Sequence, residues 1–424
     1  MQRLKMKDIT LLTCRAYFKP NKITPYIANI LKEEQLLKAA LEKQGLSVAI
    51  TYWNNPSYNW SATKAVIFRT IWDYFERFDE FWMWLEEINT QTKLINSYDL
   101  IKWNIDKHYL KDLSSWGIEI VPTYFADQGS ENKLHEIAQT NQWKDLVIKP
   151  AISASAFKTY KILENDIENN EELFNSLLSE RDMLIQPFFK TIGELGEASL
   201  MVFDGKFTHA ILKKAKPGDF RVQDDFGGTV HDYTPTKEEI NFAEKVFASC
   251  KTKPIYGRVD IVWDNDKNFY LSELEIIEPE LWIRNYPKSA EKIAEAVKKI
   301  LKLDFRRIMS CSESVNKVVE IYVESMKESS ADKVREAFHP NAKVVGHLHG
   351  DFLEMSTEDF AGFVAAQEPA EVEYEILSTV VEGTTAAVKI RDKYLGITFL
   401  DTLSLIKIDD QWSIYNKLFN VEDE

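Results

Sequence analysis

The apolar positions Leu36, Leu37, Ala40 and Leu41 recur at helical spacing between Glu33 and Lys43. Gly45 then stops the helix ahead of the strand-like run Ser47-Val-Ala-Ile-Thr-Tyr-Trp53. The alternation repeats. Ala65-Val-Ile-Phe68 reads as a buried strand, Phe78 to Ile88 as a helix rich in Trp and Phe, and Thr92-Lys-Leu-Ile95 as another short strand. Such alternation predicts an α/β layer with a parallel sheet. From Leu146 the pattern changes to closely spaced strands, at Leu146 to Lys149, Met183 to Gln186, and Glu197 to Phe203 joined through Asp204-Gly205 to Lys206 to Lys213. Asp-Gly between two such runs predicts a hairpin. Tyr256 to Asp264 and Phe269 to Ile276, joined by the polar Asn265 to Asn268, predict a second one.

A helical stripe of Ala290, Ile293, Ala294, Val297, Ile300 and Leu301 closes this part. Residues 304–312 then read as a boundary. A new stripe, Val315, Val318, Val319, Tyr322, Val323 and Met326, is followed by His339-Pro340 and alternating strands to Phe419. No internal repeat or low-complexity segment appears.

At 424 residues, 45% hydrophobic and 12% aromatic, the chain holds more than one core. The formal charge of -15 argues against broad binding to nucleic acid or an anionic membrane, which needs a cationic surface, and points to a small-molecule partner. Lys149, Lys213 and Arg258 remain candidates for phosphate binding inside a cleft, whose field depends on its own walls. Cys14, Cys250 and Cys311 are widely spaced and odd in number, so neither a disulfide framework nor a zinc site is expected, and a reducing cytoplasm fits. The run Ile9 to Leu12 is too short for a signal peptide, and no run approaches a membrane span.

The chemistry concentrates in Gly257-Arg258-Val259-Asp260 and Leu271-Ser272-Glu273-Leu274-Glu275. Strand alternation puts Arg258 and Asp260 on one face and Glu273 and Glu275 on one face, and antiparallel pairing sets Asp260 opposite Glu273. Facing like charges destabilise a ladder, so the three carboxylates call for a cation such as Mg²⁺. The competing reading is a surface hairpin with solvated acids.

These residues resemble the metal-binding end of the ATP-grasp ligases, in the D-alanine:D-alanine ligase pattern G-R-x-D followed by E-x-N. The resemblance implies Asp260 and Glu273 as magnesium ligands, Glu275 as a third where the family has Asn, and Arg258 on the oxyanion of a tetrahedral intermediate. Gly218-Asp-Phe-Arg221-Val-Gln223 with Gly227-Gly228 is similar to the G-[DE]-F-R-x-N…GG segment of glutathione synthetase and ribosomal-protein glutamate ligases. That likeness puts Arg221 on the transferred phosphoryl group or the carboxylate. Trp103 to Lys107 and Val147 to Pro150 resemble the segments carrying the two nucleotide lysines, Lys107 and Lys149. The family's glycine-rich lid stands here as Ala151 to Ala156 without glycine, where Ser153 and Ser155 offer hydroxyls instead. Gln186 occupies the expected adenine-contacting hinge and Glu197 the place of a ribose-contacting acid.

The resemblance spans residues 60–303, and its nearest branch includes the cycloserine-forming cyclo-ligase. There an R-x-x-W-D-Y segment precedes the lysine, as Arg69, Trp72, Asp73 and Tyr74 do here, which implies an acceptor pocket. The competing reading is a buried Trp and Tyr beside a paired Arg and Asp. The implied architecture is a pre-grasp α/β domain (1–125) and an ATP-grasp domain of two α+β subdomains (126–303). Residues 312–424 resemble an NTF2-like (SnoaL-type) α+β cone, with Phe338 to Ala342 as its helix-to-strand entry and His347, His349, Asp401 and Lys417 as polar residues facing its cavity.

The implied reaction uses ATP and Mg²⁺ to turn a small-molecule carboxylate into an acyl phosphate, which an amine-type nucleophile attacks. Two alternatives stand beside it: a nucleotide-binding or regulatory protein without turnover, and a scaffold for an active cone. A homodimer through the C-terminal domain is expected.

Overall fold

The computed structural model describes residues 6–153, 157–216, 221 and 227–422, with backbone alone for 303–310. The chain falls into two compact units, Met1–Lys299 and Ile300–Glu424.

The first layer of the front unit is a parallel sheet of β1 (Lys7–Thr13), β2 (Val48–Tyr52), β3 (Thr63–Thr70) and β4 (Lys93–Ile95), in the order β2-β1-β3-β4. The short apolar run Ile9 to Leu12 is therefore a central strand. It shows no alternation because it is buried on both faces, as parallel strands are. Helix α1 (Pro25–Lys43) starts earlier than its apolar stripe, since the Thr24 hydroxyl caps Ile27 N–H at 3.2 Å and Pro25 needs no donor there. Helix α2 (Phe78–Asn89) buries Phe81, Leu85 and Ile88 against Trp53, Trp60, Val66 and Phe68.

After helices α3 (Tyr98–Asn104) and α4 (Tyr109–Ser115), β5 (Tyr124–Ala126) opens the second sheet. It is completed, past α5 (Leu134–Asn141), by β6 (Leu146–Pro150), β7 (Tyr160–Ile162), α6 (Glu171–Glu180) and β8 (Met183–Pro187). Its order β5-β8-β6-β7 is wholly antiparallel. The third sheet holds β9 (Glu197–Phe203), β10 (Lys206–Lys214), β11 (Thr229–Asp232), β12 (Tyr256–Trp263) and β13 (Phe269–Glu275), with helix α7 (Lys237–Ser249) on one face. The order β11-β10-β9-β12-β13 confirms both hairpins.

Two asparagines fasten the β12–β13 hairpin to its surroundings. The Asn96 amide donates to Tyr256 O at 2.8 Å and Ile276 O at 2.7 Å while its Oδ1 accepts from Ile255 N–H at 2.6 Å. Asn104 donates to Leu274 O at 2.8 Å. Both are buried, so truncation would leave backbone groups unsatisfied, at about 1–3 kcal/mol each.

Helix α8 (Ser289–Lys327) runs through residues 304–312, where the sequence pattern placed a boundary. No Gly or Pro lies between Pro287 and Pro340, so nothing local stops a helix there. The C-terminal unit adds α9 (Ala331–Ala337), β14 (Phe338–Leu348), β15 (Asp351–Ser356), α10 (Thr357–Ala365), β16 (Glu373–Glu382), β17 (Thr385–Tyr394), β18 (Ile397–Ile408) and β19 (Gln411–Val421). The six strands run in the order β15-β14-β19-β18-β17-β16, and only the β14–β19 pair is parallel. One face packs on Val315, Val319, Tyr322 and Val323 of α8 and on Phe360 and Val364 of α10.

Candidate active site

The register of β12 and β13 pairs Arg258 with Glu275 and Asp260 with Glu273, with a bulge after Asp260. All four side chains line one cleft of about 270 Å³. Asp260 sits at its floor. It accepts from Ser199 Oγ at 2.6 Å, from Arg258 Nε and Nη2 each at 2.8 Å, and from Lys213 Nζ at 3.2 Å. Burial alone would raise its pKa, but Arg258 and Lys213 hold it down at about 2.

The neighbouring acids are handled differently. Glu275 pairs with Arg258, yet burial, with Asp260 and Glu273 close by, pushes it up to about 8. Glu273 is opposed by burial too, but Lys107, whose Nζ lies 3.2 Å away, and Lys149 keep it below its usual range. Glu197 pairs with Lys213; burial outweighs that partner and raises the acid. Burial also lowers Lys149, against the pull of Glu273. The Arg258 guanidinium lies over the Trp282 ring at 5.3 Å, a cation–π contact.

Charge repulsion on the hairpin is thus relieved by side chains already present. Asp260 has Arg258 and Lys213, Glu273 has Lys107, and Glu275 shares Arg258 with Asp260. The donors nevertheless suit Mg²⁺, because hard oxygen atoms from two facing strands point into a cleft that also holds cations for phosphates. The trio does not converge on one point; among the described residues only Asp106, His108 and Asp182 place three such atoms within 4.8 Å of one another. An ion held by one or two carboxylates, with phosphate oxygens completing its shell, fits this arrangement.

Most of the expected site residues meet in this cleft. Lys107, Lys149, Ser153, Gln186, Glu197, Lys213, Arg221, Trp72 and Tyr74 all line it. Lys107 Nζ donates to Ser153 O at 2.6 Å, and Gln186 Nε2 to Thr123 Oγ1 at 2.9 Å. Ser155, and all of Gly218 to Gln223 except Arg221, lie outside the described residues.

Two expected acceptor residues lie elsewhere. Arg69 is buried behind the cleft, donating to Pro279 O at 3.2 Å and facing Glu33, and Asp73 accepts from Trp53 Nε1 at 2.8 Å. Arg69 and Asp73 thus have separate partners, while Trp72 and Tyr74 line the cleft. His347 and His349 are exposed and do not enter the C-terminal core, whereas Asp401 and Lys417 do.

Sequence reasoning missed Glu278, Glu280, Tyr26 and Trp282, which also line the cleft. Burial, with Glu273 nearby, pushes Glu278 up to about 7, against Tyr74 and Lys107. The two-residue spacing of Glu273 and Glu275 runs on to Ile277 and Pro279 and so skips both glutamates, which lie past the end of the strand, where alternation no longer applies. The described lining then carries five cations (Lys107, Lys149, Lys213, Arg221, Arg258) and six carboxylates (Glu197, Asp260, Glu273, Glu275, Glu278, Glu280). Such a near balance suits a triphosphate with its metal better than either alone.

A RimK-like ATP-grasp domain model matches residues 106–285, which include every strand of this site. This part of the chain is similar to the ATP-grasp ligases. The model of the N-terminal domain of the D-cycloserine synthetase DcsG matches residues 9–96 of this chain. Over 284 residues it is 27% identical to the cycloserine biosynthesis protein DcsG of Streptomyces lavendulae, covering 63% of this chain and 93% of that protein. The crystal structure of D-cycloserine synthetase DcsG shares the fold, with a TM-score of 0.62, 24% identity, and coverage of 69% of this chain and 99% of that one.

Residues 310–420 match a family model described as "Putative lumazine-binding". A stretch of 102 residues is 28% identical to aldolase FrzH of Cladobotryum sp, covering 23% of this chain and 82% of that protein. The helices and six-stranded sheet of this unit make an α+β architecture. No helix among the described residues is long and apolar enough to cross a membrane.

Proposed function

We propose that the chain is an ATP-grasp ligase that activates a small, amino acid-derived carboxylate as an acyl phosphate for attack by an amine-type nucleophile, with ATP and Mg²⁺ as cofactors. The observation that carries this reading is the single cleft in which Lys107 and Lys149 face Asp260, Glu273 and Glu275 across two sheets. On nucleotide binding, Lys107, Lys149 and Arg221 would hold phosphate oxygens and the hairpin carboxylates would hold the metal, whose charge would stabilise the transferred group. The substrate carboxylate attacks the γ-phosphate to give acyl phosphate and ADP. Arg258, which Asp260 and Trp282 orient, donates to the oxyanion when the amine adds. Trp72, Tyr74 and Tyr26 form the aromatic wall on the acceptor side. The likeness to a cycloserine biosynthesis protein supports intramolecular ring closure as one form of the reaction.

The test is ADP release on screening amino acids and their amino- or hydroxy-substituted derivatives, with and without EDTA. Substrate-dependent, EDTA-sensitive ADP formation that Glu273→Gln abolishes supports the reading. Full turnover by that variant removes the site assignment. The C-terminal unit is proposed to make the homodimer, which sedimentation of the full chain would show.

A further inference from the structure

Strand β17 turns Ala386, Val388, Ile390, Asp392 and Tyr394 to the interior of the C-terminal unit, so an apolar pattern ends in an acid and a phenol. Asp392 is 1% exposed, yet among the described residues neither of its carboxylate oxygens receives an N–H or O–H. Asp401 Oδ1 and the Tyr394 hydroxyl are in the same position. The register places Asp392 opposite Phe399 and Asp401 opposite Ile390, so the two acids are diagonal neighbours on one face.

The other half of the cluster is fully engaged. Asp401 Oδ2 takes Lys417 Nζ and, at 2.9 Å, the Tyr322 hydroxyl, which in turn accepts from Lys417. Lys417 lies 4.8 Å from the Tyr322 ring centroid and 5.8 and 5.9 Å from those of Phe399 and Phe419. Lys417 therefore balances Asp401, and no second cation among the described residues balances Asp392. Burial pushes Asp392 up to about 7; Lys417 draws it down, and the charge of Asp401 and a carboxyl–carboxylate hydrogen bond with it raise it again. Once Asp392 gives up that proton, a buried acid beside two acceptors is costly unless something else brings both charge and N–H donors.

We propose that Asp392, Asp401 Oδ1 and Tyr394 bind a small primary ammonium group, with Lys417 and Tyr322 positioning Asp401. Three N–H bonds meet three acceptor groups, and the added charge balances the second carboxylate. Each member of the cluster is at most 5% exposed, which restricts the ligand to a small amine. This site is independent of the ligase cleft, and its residues take no part in acyl phosphate formation.

The test uses the full-length protein with methylammonium, ethanolamine and glycinamide as probes, and tetramethylammonium and potassium as controls. Ligand-observed NMR and calorimetry in buffers of different ionisation enthalpy read binding and proton release. Saturable binding of a primary amine is expected, with proton release near neutral pH and no competition from either control. Asp392→Asn and Tyr394→Phe should each weaken it, the first by at least about thirty-fold. The absence of saturable binding by any primary amine overturns the proposal, as does retained affinity in Asp392→Asn. A higher Tm of Asp392→Asn without amine binding to the wild-type chain assigns the pair to structure alone, which also overturns it.

Discussion

The ligase cleft and the interior of the C-terminal unit use the same components, a lysine and carboxylates on neighbouring antiparallel strands, and reach opposite electrostatic states. In the cleft each hairpin carboxylate already has a basic side chain within reach: Asp260 has two, and Glu273 and Glu275 one each. In the C-terminal unit one lysine serves two acids. The difference teaches that a buried carboxylate becomes a receptor in two ways. It exchanges an internal cation for a ligand's metal, or it stands without one and awaits a cation. The first keeps the empty protein stable, and the second makes stability depend on what is bound.

Several substitutions break this comparison, the largest first. Glu273→Gln should reduce ADP formation by about 10²–10³-fold, the usual effect of removing one group that stabilises transition-state charge, with the far-UV spectrum unchanged. Lys417→Met leaves Asp401 and Asp392 buried with no cation and should cost about 3–5 kcal/mol at pH 8 in urea unfolding. At pH 5 the loss should shrink, because Asp392 then holds its proton. Arg258→Met should cost less than Lys417→Met, because Lys213 still faces Asp260.

The pH response sharpens the contrast. His209, buried and donating Nε2–H to Leu281 O at 2.8 Å, is lowered by burial to about 4. The unfolded chain takes the proton first, so the front unit loses stability as pH falls from 6.5 to 4, by at most about 3 kcal/mol. Asp392 has the reverse sign. Its folded form holds a proton that the unfolded chain has released, so the C-terminal unit loses stability as pH rises from 3.8 to about 7. Urea unfolding across pH 4–7 should show His209→Gln and Asp392→Asn each removing its own slope. Smallest is Tyr256→Phe. It removes a hydroxyl that lies 2.8 Å from Phe68 O and should cost about 1 kcal/mol by the same measurement.

The hairpin chemistry was legible because two strands joined by a short polar turn have a register that alternation can predict. Counting outward from Asn265 to Asn268 sets Asp260 opposite Glu273, and the structure reaches that pair through a bulge after pairs offset by one residue near the turn. What was not legible is which cation each acid meets. Lys107, Lys213 and Trp282 are distant in sequence or follow the strand's end, and Arg69 and Asp73 carry the right residue types while pointing at structural partners. Strand β1 was missed for a different reason: burial on both faces erases the period that marks a strand.

Local pattern alone settled the α/β front, the two hairpins, the helix-then-sheet tail and the face on which the acids lie, since each rests on contacts between residues near in the chain. The pairing of charges, the depth of Asp392 and the single cleft that collects Lys149 with Glu273 belong to the tertiary structure. Coulombic and desolvation energies depend on distances in space, which sequence spacing does not encode.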